Sequence, residues 1–216
     1  MRRPPMLRNA LVAPVAAALM LSACTTTPYT GPIEVTRFVA QAPNGLGQGP
    51  ITIYFPEEVS NASAKAATKA AVERELQALG YTIVAQEGRG IQVAAVRTSR
   101  TPIAAAEQRQ RQRGPVDVGI GGGTGGFGSG VGLGAGINLG GGREGPTAMS
   151  ELSVRITGDD AKSLWEGRSQ IATGVKSPYS QVETSARTLA AALFRDFPGG
   201  NGETVIIDAK KLQGTK

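Results

Sequence analysis

The sequence contains no histidine and one cysteine, Cys24, in 216 residues. Without histidine, Ser-His-Asp and Cys-His catalysis and His-ligated zinc sites are excluded. One cysteine cannot form an intramolecular disulfide, so a folded domain must depend on its hydrophobic core. Aromatic residues are also scarce, at 5% of the chain. The composition therefore predicts no metal site and no cofactor, and it identifies no catalytic residue.

The chain does contain a leader segment at its N-terminus. Arg2, Arg3 and Arg8 precede an apolar stretch over residues 10–21, and no acid accompanies them. As a helix this stretch spans only about 18 Å, too short for a bilayer core of about 30 Å. The pattern instead predicts a secretory signal peptide over residues 1–23.

The leader ends in Leu21-Ser22-Ala23-Cys24, which resembles the bacterial lipoprotein box. That resemblance implies that the thiol of Cys24 is acylated and that Cys24 becomes the mature N-terminus. An ordinary cleaved signal peptide is the alternative. Thr25, and not Asp, follows the cysteine, which by the sorting rule of enteric lipoproteins favours the periplasmic face of the outer membrane. Removing the leader lowers the side-chain charge balance from +6 to +3.

Period-two alternation of apolar residues predicts strands in both halves of the remaining chain. A turn at Gly88 is expected to join the third and fourth strands as a hairpin, and a turn at Gly158 to join the fifth and sixth. The predicted strands are residues 33–39, 51–55, 81–84, 91–96, 152–156, 164–173 and 203–208.

Two segments show the three- and four-residue spacing of amphipathic helices. The first covers about residues 60–79 and stops at Gly80, a residue suited to a left-handed C-terminal position. The second begins near Ser180, where Ser180 and Glu183 fit a capping box. The predicted buried stripes are Thr68, Val72, Leu76 and Leu79 in the first helix and Val182, Ala186, Leu189, Leu193 and Phe197 in the second.

These elements predict an α+β fold, with two amphipathic helices packed on one face of a mostly antiparallel sheet. Trp165 is expected in the core. A tether over residues 24–32 would precede a single periplasmic domain over residues 33–208, and residues 209–216 would form a polar tail.

Residues 98–147 form an insert of unusual composition within that domain. An Arg/Gln run ending at Arg113 precedes the segment between Gly114 and Gly145, which holds 16 of the 30 glycines. Apolar residues alternate from Val131 to Leu139, which favours a glycine-rich hairpin or loop that offers a partner or self-association edge. One strand of an oligomeric membrane barrel is an alternative. The basic run is either solvated or in contact with anionic lipid headgroups.

Other patterns give weak functional signals. Gly121, Gly123 and Gly126 fit G-x-G-x-x-G, but neither a helix nor an acidic ribose partner follows, so nucleotide binding is not favoured. Nucleic acid is not a favoured partner, because the predicted compartment lacks it and no aromatic residue interleaves with the arginines. The acidic pairs Asp159-Asp160 and Glu57-Glu58 are typical of turns and strand ends. A paired-carboxylate hydrolase remains the distant alternative.

Three short motifs follow the lipoprotein box in a recognisable order. They are Leu76-Gln77-Ala78-Leu79-Gly80-Tyr81, Leu164-Trp165-Glu166-Gly167 and Leu193-Phe194-Arg195-Asp196-Phe197-Pro198-Gly199. Together they resemble the Gram-negative envelope lipoproteins grouped as domain of unknown function 4136, over about residues 33–208. The resemblance implies an α+β periplasmic domain on a lipid anchor, with no established activity.

The functional prediction is therefore a lipid-anchored, non-catalytic binding or scaffolding protein at the outer membrane. Its predicted partners are the membrane, through the lipid on Cys24, and an envelope protein or a second copy, through residues 114–145. A periplasmic carrier or transport accessory that binds a lipid or hydrophobic ligand is the alternative, which a closed apolar cavity between helices and sheet would favour.

Overall fold

A computed structural model describes residues 27–41, 43, 45–103, 117–120, 133–136, 145–158 and 160–212. Most of these residues form one sheet with helices packed against it. The elements are β1 (Thr30–Val39), β2 (Gly49–Tyr54), α1 (Ala62–Ala78), β3 (Tyr81–Ile83), β4 (Gln92–Pro102), β5 (Asp117–Ile120), β6 (Leu133–Gly136), β7 (Ala148–Thr157), β8 (Ser163–Thr173), a 3₁₀ turn (Pro178–Ser180), α2 (Val182–Phe194), β9 (Glu203–Ile207) and α3 (Ala209–Leu212).

The main sheet has seven strands in the order β3-β2-β4-β7-β8-β1-β9. The pairs β4–β7, β7–β8, β8–β1 and β1–β9 are antiparallel. The pairs β2–β3 and β2–β4 are parallel, because α1 carries the chain back between β2 and β3. The sheet is therefore mixed, and the predicted α+β class with helices packed on a sheet is confirmed.

The predicted hairpin around Gly88 is wrong. β3 and β4 run in the same direction and pair with opposite sides of β2, so they do not face each other. Both strands meet β2 at Ile51, which pairs with Ile83 on one side and Gln92 on the other. The segment between β3 and β4 therefore crosses over β2 and does not form a hairpin turn. The second predicted hairpin, β7 to β8, is present.

The core lies between the helices and one face of the sheet. Along β1, Ile33 and Val35 are buried while the intervening Glu34 and Thr36 are half-buried. Trp165 on β8 is fully buried, as predicted. The helices contribute most of the predicted stripe residues to this core, together with alanines that let α1 and α2 approach: Ala71, Val72, Leu76, Ala186, Leu189, Ala190, Ala192 and Leu193.

The two helices begin differently. Asn61 caps α1, and its Oδ1 accepts a hydrogen bond from the amide of Ala64 at 3.0 Å. The predicted capping box at Ser180 is wrong, since the hydroxyl of Ser180 instead donates to the carbonyls of Val175 and Ser177. α2 starts after Gln181, which makes no side-chain cap.

The ordered elements reach beyond both predicted domain boundaries. β1 begins at Thr30, within the predicted tether. At the other end, Ala209 is 2% exposed and opens α3, within the predicted polar tail. Among the described residues, no helix is both long and apolar enough to cross a membrane.

Little of the predicted insert falls on described residues. β5 and β6 pair antiparallel, with Asp117 opposite Gly136 and Ile120 opposite Leu133. The remainder of residues 104–144 lies outside the described part of the chain, as does Cys24.

Candidate functional site

The second and third sequence motifs meet in an aromatic cluster beneath α2. The ring of Trp165 lies 5.4 Å from that of Phe194 and 5.1 Å from that of Phe197, measured between centroids. The indole Nε1 donates to the carbonyl of Pro198 at 2.9 Å. This polar tip is satisfied by the backbone, as expected for a buried tryptophan. Trp165 is therefore a core residue and not a ligand platform.

Two glycines of these motifs are required by packing. A Cβ on Gly167 would lie 2.4 Å from the ring of Trp165 and 2.8 Å from the side chain of Leu193. Gly199 has φ +77°, and a Cβ there would lie 2.7 Å from Cδ of Arg37. The glycines leave room for the tryptophan and the arginine.

Arg37 stabilises the fold, and no sequence pattern identified it. Its side chain projects from β1 into the core and is almost fully buried. Its Nε donates to the carbonyl of Leu193 at 3.1 Å, and its Nη2 donates to those of Ala192 and Arg195 at 3.2 and 2.7 Å. Burial lowers the pKa of the guanidinium, an effect that Glu203 and Asp196 oppose. Arg37 thus caps the C-terminal end of α2.

The first motif holds the loop before β2. Gly80 has φ +105°, as predicted for the residue after α1. The Tyr81 hydroxyl accepts from the amide of Gly47 at 2.7 Å and donates to Oε1 of Gln92 at 3.4 Å. Gln92 in turn donates to the carbonyls of Gly45 and Gln48. All three motifs are accounted for by packing and hydrogen bonding.

The acidic pairs do not converge. Asp160 is exposed and contacts Nζ of Lys162 at 2.8 Å, and this hydrogen bond lowers the pKa of the Asp160 carboxyl. Glu57 contacts Nε of Arg97 at 2.9 Å. Asp159 lies outside the described residues. Within the described ranges, no group of three or more Asp, Glu or Cys side chains could hold a metal ion.

The sheet face opposite the helices carries a half-buried network of charges. Arg155 contacts Glu166 at 3.4 Å, and Arg168 contacts Glu151 at the same distance. Nε2 of Gln170 donates to Glu34 at 2.6 Å. These are cross-strand contacts between neighbours on β7, β8 and β1, so this face is stabilised within the chain itself.

An open cleft of about 350 Å³ lies where α1 and α2 begin above β4 and β7. Three of its lining residues carry hydroxyls and are nearly buried: Thr68, Ser150 and Ser185 are 4%, 5% and 7% exposed. Arg100 stands in the lining, and its Nη1 donates to the carbonyl of Ser180. Leu152 and Leu189 supply part of an apolar floor. No sequence motif marks this cleft, because its residues come from four separate segments.

No family model matches the chain, and neither does a curated protein. Several solved structures are similar in part. A dodecamer of a point variant of PelC from Paraburkholderia phytofirmans shares 12% identity with this chain, with a TM-score of 0.37. A second PelC dodecamer from the same organism shares 11% identity, with a TM-score of 0.35. Each match covers 74% of this chain, and the two cover 93% and 94% of the respective PelC chains. A PDZ domain protein from Parabacteroides distasonis matches 89% of this chain with 12% identity and a TM-score of 0.45, and 41% of its own length is covered. These likenesses are too remote to indicate a function.

Proposed function

We propose that this chain is a lipid-anchored envelope protein, attached through Cys24 to the periplasmic face of the outer membrane, that binds or scaffolds a partner without catalysing a reaction. Membership of the family grouped as domain of unknown function 4136 is part of this proposal. The three motifs that carry the resemblance support this proposal, because residues of all three belong to one hydrophobic core.

One observation carries the proposal: the start of β1, which follows Cys24 in the sequence, and the base of the insert lie at the same end of the sheet. Thr30 at the start of β1 pairs with Thr173, Thr173 pairs with Ala148, and Ala148 pairs with Pro102 at the base of the insert. Cys24 precedes Thr30 by six positions, which reach at most about 20 Å when extended. A lipid on Cys24 would therefore hold the base of the insert close to the membrane.

This placement suits residues 114–145 as the partner element, either for an envelope protein or for a second copy. A segment restricted to the membrane surface meets membrane-bound partners at a raised effective concentration. The domain behind it has one continuous hydrophobic core and serves as the support.

The alternatives have less support. A carrier of a lipid or hydrophobic ligand would be favoured by a closed apolar cavity, whereas the cleft between the helices and the sheet is open and lined in part by hydroxyls. A hydrolase would be favoured by clustered acids, whereas Asp160 pairs with Lys162 and Glu57 with Arg97.

Crosslinking in intact cells, followed by mass spectrometry, tests the proposal. The full-length protein is compared with a variant that lacks residues 114–145 and with a control in which an equally long Gly/Ser segment replaces them. We expect the deletion and the replacement to lose the same crosslinked partner. An unchanged set of partners in both variants would show that the insert is not the interaction element.

A further inference from the structure

The cleft between the N-terminal halves of α1 and α2 has the features of an oxyanion site. Both helices run in the same direction, since each follows a strand of the same orientation, and their N-terminal residues Asn61 and Val182 line one cleft. Adjacent helix N-termini place two partial positive charges together. They favour a negatively charged group between them.

The start of α2 lacks a hydrogen bond to the side chain of its N-cap residue. Its N-cap, Gln181, makes no side-chain hydrogen bond, and Glu183 is the acidic residue of its first turn. At α1, Asn61 uses Oδ1 to cap Ala64, which leaves its amide NH₂ as a donor. An uncapped helix N-terminus such as that of α2 binds anions readily.

An independent feature is the set of nearly buried hydroxyls. Thr68, Ser150 and Ser185 are each more than nine-tenths buried and line the cleft. Among the hydrogen bonds of the described residues, none involves the hydroxyl of any of the three. Their oxygen atoms open on the cleft, where water or a ligand reaches them. A bound ligand would supply acceptors for all three.

The charged and apolar residues of the lining define the ligand further. Arg100 offers guanidinium donors beyond the one bonded to Ser180, while Glu58 also lines the cleft as the opposing charge. Leu152, Ala186 and Leu189 form an apolar floor. The lining contains no aromatic platform of the kind on which sugars and bases stack.

We infer that this cleft binds a phosphate-type oxyanion attached to a small apolar body. The hydroxyls, Arg100 and the α2 amides hold the oxyanion, and the leucines contact the body. The volume of about 350 Å³ suits a small ligand. This inference does not depend on lipidation of Cys24, because it concerns only residues of the folded domain.

Calorimetric titration of the full chain in neutral detergent tests the inference. The probes are inorganic phosphate, glycerol phosphate and a short-chain phosphatidylglycerol, each also titrated into detergent without protein so that partition into micelles is subtracted. All three are expected to bind in a saturable manner. Tighter binding of the acyl-bearing probe supports a lipid headgroup as the source, and equal binding supports a free phosphate. Absence of saturable binding of every probe at millimolar concentrations would overturn the inference.

Matched variants assign any binding to the cleft. Ser150 and Ser153 lie on the same strand and are each 5% exposed, but Ser153 is on the opposite face of the sheet. Ser150→Ala is expected to weaken binding about tenfold, the value of one hydrogen bond to a charged group, and Ser153→Ala to leave it unchanged. Arg100→Gln is expected to weaken it by a similar factor, and Arg89→Gln not at all. Equal losses in each matched pair would contradict the assignment.

Discussion

At the scale of single residues, two glycines and an arginine explain why the sequence motifs have their composition. Gly167 sits directly beneath the ring of Trp165, and Gly199 turns with φ +77° against the buried side chain of Arg37. A Cβ at either position would lie closer than 3.0 Å to atoms of Trp165, Leu193 or Arg37. The motifs thus record packing constraints, and a search for function among them would not succeed.

Gly167→Ala tests this packing. Its Cβ would meet the indole ring and Leu193, so we expect the free energy of unfolding to fall by about 1–3 kcal/mol or more, with altered tryptophan fluorescence. Gly200→Ala is the control, since a Cβ there has only ordinary contacts with Glu203. It should change stability by less than about 0.5 kcal/mol. Equal stability of both variants in urea would show that the cluster is loosely packed.

Tyr81 provides a prediction about pH. Burial raises the pKa of its hydroxyl, although the hydrogen bond from Gly47 opposes this effect. The folded state therefore favours the neutral phenol. Its stabilising effect is complete below the ordinary tyrosine pKa of about 10 and is lost as the pH rises through the higher folded-state value.

We expect wild-type stability to fall more steeply above about pH 10 than that of Tyr81→Phe, when urea unfolding is measured at successive pH values. Tyrosinate absorbance should show Tyr81 ionising above the ordinary tyrosine pKa of about 10. Tyr54→Phe serves as the control and should keep the wild-type dependence. If Tyr81→Phe and wild type lose stability in parallel, the phenol is not the group responsible.

At the scale of elements, the best-predicted features were those with local signals. The alternation on β1, β2, β7 and β8 and the periodicity of α1 and α2 follow from one buried face per element, and the structure contains all of these. Gly80 marked the end of α1 because a left-handed residue is needed there. The order of the strands was harder to predict, because β3 and β4 are close in the sequence but β2 lies between them in the sheet.

The contacts that the sequence could not predict are the non-local ones. Arg37 lies among strand residues, and from the sequence it would be expected at the surface. Its hydrogen-bond acceptors are instead carbonyls about 155 positions later in the chain. The cleft is likewise assembled from segments that only the fold brings together. Ser180 illustrates a local failure, because the 3₁₀ turn before α2 uses its hydroxyl and leaves the helix uncapped.

Arg37 joins the end of α2 to β1, so its replacement tests how strongly these two elements are held together. Arg37→Met would leave the carbonyls of Ala192, Leu193 and Arg195 without their donors, so we expect a loss of about 2–4 kcal/mol in the free energy of unfolding. Arg37→Lys keeps the charge but not the geometry of three bonds, and should lose less.

Arg74→Met is the matched control for the arginine variants. Arg74 forms an exposed ion pair with Glu75, which contributes little to stability. Its replacement should change the unfolding free energy by less than about 0.5 kcal/mol. Comparable effects of Arg37→Met and Arg74→Met in urea would mean that α2 needs no cap.

At the scale of the whole molecule, the arrangement has a consistent polarity. The start of β1, the base of the insert and the cleft between the helix N-termini all lie toward one end, while the aromatic cluster and Arg37 secure the C-terminal end of α2. If Cys24 carries a lipid, the membrane faces the first of these ends. The cleft and residues 114–145 would then work at the membrane surface, and the rest of the domain would support them.

The most direct test of this account is the intact mass of the mature N-terminal peptide, measured on protein from the membrane fraction of Gram-negative cells. We predict a peptide that begins at Cys24 and carries the mass of attached acyl groups. The Cys24→Ser variant should lack that mass and leave the mature membrane fraction, as soluble protein or unprocessed precursor. A mature chain that begins elsewhere, or Cys24→Ser that is processed normally and retained at the membrane, would contradict the lipid anchor.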